Sequence, residues 1–76
     1  MEQGYSRNEA EALVGQSFET HALLAYVPTR TRGRVIEAID LGDQWDVLIE
    51  WDQPRIHTQV GYDKFVVQNT MRLIQP

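Results

Sequence analysis

The stretch Trp45-Asp46-Val47-Leu48-Ile49-Glu50-Trp51-Asp52 constrains this chain more than any other. Its large residues alternate strictly. Trp45, Val47, Ile49 and Trp51 point one way; Asp46, Leu48, Glu50 and Asp52 point the other. A period of two is the signature of a strand with one face buried. Such a strand must find a sheet, and its tryptophans must find a core. In a 76-residue chain that core is small and belongs to one domain.

The surrounding sequence supplies the rest of the sheet. Val35 to Leu41 reads as a strand paired with Trp45–Asp52 across Gly42-Asp43, a short hairpin dipeptide. Two registers compete. A two-residue loop sets Ile36 opposite Ile49 and Ala38 opposite Val47, but also Asp40 opposite Trp45. A three-residue loop brings Val35, Ile39 and Leu41, together with Glu37, onto the tryptophan face. A β-bulge reconciles them. Ser17 to Val27 reads as a first strand, with Phe18, Ala22, Leu24 and Tyr26 in one alternating set and Leu23, Ala25 and Val27 in the other. Pro28 ends it. Asp52-Gln53-Pro54 is a turn. Ile56, Thr58, Val60 and Tyr62 alternate in a fourth strand. A tight or 3₁₀ turn within 61–69, with Phe65 or Val66 tucked inward, leads to a fifth strand at Thr70–Ile74, with Met71 and Leu73 on one face.

Ahead of the strands, the spacing predicts a short helix over about 6–15. Ser6 and Glu9 form a capping box, and Tyr5 can staple onto Ala10. Ala10, Leu13 and Val14 make one apolar face, and Gly15 is a natural stop. The fold class is therefore mainly β, with five short strands and a short N-terminal helix in a single domain, 1–76.

Five strands in about 60 residues are too few for a sandwich, and a small barrel removes the edges. The order of strands, the basic Gly-containing turn Arg32-Gly33-Arg34-Val35-Ile36, the hairpin strand 45–51, and Tyr62-Asp63-Lys64-Phe65 followed by Met71-Arg72-Leu73-Ile74 resemble the SH3-like small β-barrels, including KOW and Tudor-like modules. The resemblance spans about residues 16–75 and implies a barrel, to which the N-terminal helix is an addition able to plug one end. Members of that class bind peptides, modified lysines, nucleic acid or subunit partners, so it implies a fold more than a role.

The charges are segregated. Residues 35–54 hold six acids (Glu37, Asp40, Asp43, Asp46, Glu50, Asp52) and no base; residues 30–34 hold Arg30, Arg32 and Arg34 and no acid; the net charge is −4. Two readings of the acidic hairpin are open: a docking face for a basic partner, or a solvated edge that deters association. The arginines can grip phosphates or neutralise the hairpin. The aromatics also admit two readings, an aromatic groove or cage or simply the core.

Other chemistry finds little support. No cysteine is present, which excludes a disulfide framework and thiol chemistry. His21 and His57 lack further ligands at a metal-binding spacing. Asp40, Asp43 and Asp46 do not follow a Ca²⁺ loop. Neither Ser6 nor Ser17 sits in a nucleophile elbow, and the isolated glycines form no phosphate loop. No metal and no cofactor are expected. No apolar run reaches the length of a membrane span and residues 1–15 hold no secretory core, so no membrane association and a cytoplasmic location are expected.

One enzymatic resemblance is more specific. The trimethoprim-insensitive, plasmid-type dihydrofolate reductases are SH3-like chains of similar length that form tetramers around a pore lined by Val-Gln-Ile-Tyr. Here the comparable residues are Gln59-Val60-Gly61-Tyr62. Tyr62 matches; the glutamine is displaced by one residue, which turns it to the opposite face, and glycine replaces isoleucine. That resemblance implies a tetrameric reductase.

The leading expectation is a non-enzymatic module that docks a protein or peptide through Asp43, Asp46, Glu50 and Asp52 with Trp51, Tyr62 and Tyr26. The alternative is a nucleic-acid-associated barrel using Arg30, Arg32, Arg34, Arg55 and Lys64. Homo-oligomerisation is compatible with either.

Overall fold

The computed structural model describes residues 4–24, 26–53, 56 and 60–74. Its elements run α1 (Arg7–Leu13), β1 (Ser17–Thr20), β2 (Arg32–Asp40), β3 (Trp45–Trp51), β4 (Val60–Tyr62), α2 (Lys64–Thr70) and β5 (Met71–Ile74). The strands form one antiparallel sheet in the order β4-β3-β2-β1-β5. Among the described residues the edge strands β4 and β5 do not pair with each other, so the sheet is not closed.

The hairpin follows the two-residue-loop register near its turn only, and Ile36 does not face Ile49 as that register predicts. Asp40 faces Trp45 and Ala38 faces Val47; the register then shifts between Val35 and Glu37, and Val35 faces Ile49. Ile36 is the extra residue. The bulge lets the hairpin close on its tight turn while Val35 still points into the core, where it is fully buried. At the turn, Gly42 has φ +100°, which costs glycine nothing. Its N–H donates to the Asp40 carboxylate at 2.8 Å.

Val47, Ile49 and Trp51 are buried, as the alternation predicts, and Trp45 is half-buried against them. Trp51 lies directly on the backbone of β2. A Cβ placed on Gly33 would sit 2.6 Å from Trp51 Cε3 and 2.7 Å from Ile49 Cγ2. Only glycine leaves room for that indole.

The helix α1 forms on the predicted capping box. Ser6 Oγ accepts from Glu9 N–H at 3.2 Å and Glu9 accepts from Ser6 N–H at 2.9 Å. Ala10 and Tyr5 are both buried in the core cluster, in keeping with the staple. Val14 is the exception. It is the C-cap, with extended ψ of 128°, and its side chain is exposed. Ahead of the helix, Tyr5 pairs with Trp45, extending β3 where β4 has ended.

Two expectations are corrected. The first strand stops at Thr20, not Val27. Thr20 and Thr31 form a buried clasp instead: Thr20 Oγ1 donates to Pro28 O at 2.8 Å and accepts from Thr31 N–H at 3.0 Å, while Thr31 Oγ1 donates to Pro28 O at 2.7 Å. These bonds close the base of a loop between Thr20 and Thr31 and take over the backbone pairing that a longer strand would need. The turn before β5 is an α-helix, capped by Asp63, whose carboxylate accepts from Val66 N–H at 2.8 Å. In that helix Val67 is buried, Val66 packs partly buried against the core as one of the two expected residues, and Phe65 points out, 69% exposed. The predicted strand residue Thr58 lies outside the described residues.

Replacing Gly33 by Ala forces Trp51 and Ile49 aside. Overpacking of this kind costs about 1–3 kcal/mol. Urea unfolding of Gly33→Ala is expected to show that loss; a change under about 0.5 kcal/mol, the level of an unremarkable surface substitution, contradicts the packing described.

Candidate functional site

The predicted aromatics come together; the predicted acids do not join them. Trp51 ends β3 and Tyr62 ends β4, both on the inner face of the sheet. Their rings meet edge to face with centroids 6.0 Å apart, an arrangement aromatic quadrupoles favour. Tyr26 reaches the same region from the loop above the threonine clasp. With Leu24, Val27 and Ile56 these three rings enclose an open, mostly apolar groove of about 400 Å³.

Tyr26 is the unusual wall. It is 95% exposed, and its backbone has φ +65°. The left-handed region is rare for a bulky side chain and costs of order 1–3 kcal/mol. A large apolar ring held out in solvent on strained backbone repays neither cost within the folded chain. Leu23, 90% exposed on the same loop, adds a second apolar side chain.

Trp51 is one of the groove's lining residues. Its indole Nε1 is buried with no hydrogen-bond partner among the described residues. Burial pushes the Tyr62 phenol up, and the Trp51 N–H, which approaches it without reaching hydrogen-bond geometry, partly offsets that rise.

The acids occupy other surfaces. Asp43 is exposed at the hairpin tip; Glu50 is exposed on the outward side of β3, and Asp52 is exposed just past its end. Asp46 is half-buried, and its Oδ1 has no hydrogen-bond partner among the described residues. Desolvation, then the nearby Asp63 charge, raises its pKa. Such a carboxylate is a poor contact for a partner and a burden on the fold.

The basic candidates are dispersed as well. Arg32 and Arg34 project outward from β2, while Arg30 stands in the preceding turn with φ +64°. Among the described residues none of the three makes an ion pair, so the neutralising reading finds no contact here. Lys64 is engaged with α1: it pairs with Glu9 at 3.1 Å and lies 5.9 Å from the Tyr5 ring centroid. Burial, with Glu9 and Asp63 adding to it, pushes the Tyr5 phenol up to about 12. Arg55, His57 and Gln59 lie outside the described residues. Arg72 escaped the sequence reading because β5 is remote in the chain. The fold places it beside Glu19, which accepts from it at 3.1 Å.

Among the described residues no group of three or more His, Cys, Asp or Glu side chains could hold a metal, and no helix is long and apolar enough to cross a membrane. No family model, curated protein or solved structure matches this chain. The functional reading therefore rests on the groove and on the charges around it.

The sign of the Asp46 shift sets a prediction. A carboxyl whose folded pKa is raised destabilises the fold above that pKa, and the penalty fades as pH falls through it. Asp46→Asn is expected to raise the urea midpoint at pH 7. The gain should vanish below the ordinary carboxylate pKa of about 3.9. A loss of stability at pH 7 contradicts this.

Proposed function

We propose that the chain is a small SH3-like barrel serving as a non-enzymatic binding module, and that the Tyr26–Trp51–Tyr62 groove docks an apolar side chain of an extended peptide or protein segment. The barrel reading is supported by the strand order β4-β3-β2-β1-β5, by the bulge that bends β2, and by a helix leading into the last strand. The observation that carries the binding reading is Tyr26: exposed, strained and set against an apolar groove. Exposed apolar surface beside a concavity is the usual mark of a recognition site.

The expected division of labour changes with the geometry. The aromatics supply the pocket. Of the acids, Asp52 directly follows Trp51 in the chain and is exposed; Asp46 is partly buried and Asp43 lies at the far end of the hairpin. An acidic face is thus an accessory to the groove. The reductase-like reading asks Tyr62 to line a pore between chains; in this chain the ring is buried against Trp51. The nucleic-acid reading keeps its arginines, but Glu19 and Glu50 sit directly across the strands from Arg32 and Arg34.

Selection of a displayed random peptide library on the wild-type protein tests the reading. Enriched peptides sharing an apolar anchor are expected. Their affinity should fall at least tenfold, about 1.4 kcal/mol, in Tyr26→Ala, which removes no buried contact. Failure to enrich, or undiminished binding by Tyr26→Ala, contradicts it.

A further inference from the structure

A second concavity shares no lining residue with the groove. It lies where β1 and β5 meet the loop, has a volume of about 450 Å³, and is walled by Glu19, Thr20, His21, Thr29, Arg30 and Arg72. Its character is opposite: polar and cationic. We propose that this pocket binds a compact phosphate-bearing anion between the guanidiniums of Arg30 and Arg72.

Each wall has a part in this. Arg72 gives Nη2 to Glu19 Oε1 at 3.1 Å. Glu19 is mostly covered, at 16% side-chain exposure, and Arg72 is 71% exposed. The carboxylate therefore anchors one edge of the guanidinium and leaves its other donors facing solvent; arginine has five. Arg30 forms no ion pair among the described residues. Its left-handed backbone is fixed by the threonine clasp, since Arg30 N–H donates to Thr20 O at 2.7 Å. The turn thus holds a cation at the rim at the cost of backbone strain. Two guanidinium forks on one concavity suit a phosphate, whose oxygens accept bidentate bonds. The side chains of Thr29 and His21 add donors within the same wall.

The surroundings select for a compact ligand. Arg32 lies across β1 from Glu19, on the side away from Arg72. Beyond it the outward face carries Glu50 and Glu37, the exposed Asp52 follows β3, and the whole chain is net −4. A long polyanion extending from the pocket would meet those acids. A diphosphate or phosphomonoester ends before them.

Calorimetric titration at fixed ionic strength, with inorganic diphosphate, ADP and an oligothymidylate as separate probes, tests the assignment. Saturable 1:1 binding of inorganic diphosphate or ADP is expected. Arg30→Asn, which tolerates the left-handed backbone, and Arg72→Gln should each weaken it at least fivefold, while Arg34→Gln leaves it unchanged. Tighter binding of ADP assigns the pocket to a phosphate on an organic carrier, and equal binding to the free anion; both support the proposal. It is overturned if neither small anion saturates, if the two pocket variants bind like wild type, or if the oligothymidylate binds at least tenfold tighter and loses as much in Arg34→Gln. The last result would mark an extended nucleic-acid face.

Discussion

The indole of Trp51 rests on the bare backbone of Gly33, and the two sides of the molecule depend on that contact. From β3 the ring closes the core over Val35, Val47 and Ile49. Its edge meets Tyr62 and forms the floor of the groove. The contact also dictates register. Gly33 must face Trp51 while Asp40 faces Trp45, and the two demands differ by one residue; the bulge at Ile36 absorbs the difference. A side chain at 33, or an unbroken β2, would lift the ring out of the core and fill or collapse the groove with it.

What the sequence disclosed was local. Strict alternation over 45–52 predicted the inward face of β3, Ser6 and Glu9 predicted the cap of α1, and the conflict between two hairpin registers predicted a bulge. What it concealed depended on distant partners or on competing propensities. The alternation of 17–27 resembles a strand because nothing local reveals that Thr20 will spend its hydroxyl on Pro28 and Thr31. The valines of α2 read as strand or turn. The one helical signal, Asp63 as N-cap, was available and is weak beside Val66 and Val67. Of the site, Tyr26, Trp51 and Tyr62 were legible as candidates. Their convergence, the left-handed backbone of Tyr26 and the arrival of Arg72 beside Glu19 required the fold.

The charge pattern reads differently in three dimensions. The acidic block of 35–54 divides: Glu37, Asp46 and Glu50 lie on the outward face with the arginines of β2, Asp40 shares the face of Trp45, and Asp43 stands at the hairpin tip. Its most recessed member, Asp46, has its pKa raised by burial and by the nearby Asp63. The three sequence-adjacent arginines separate: Arg32 and Arg34 join the outward face, and Arg30 turns into a pocket with Arg72. Two concavities of opposite character thus flank one loop, and the threonine clasp at its base holds Arg30 in place.

The contact between Trp51 and Gly33 can be observed directly in solution by the NMR chemical shifts of the two Gly33 Hα protons. One of them points into the indole, so ring current should move it well upfield of its partner, and Trp51→Leu should bring the two together. Two ordinary, similar Hα shifts in the wild-type protein, unaffected by Trp51→Leu, would contradict the packing on which the core and the groove both rest.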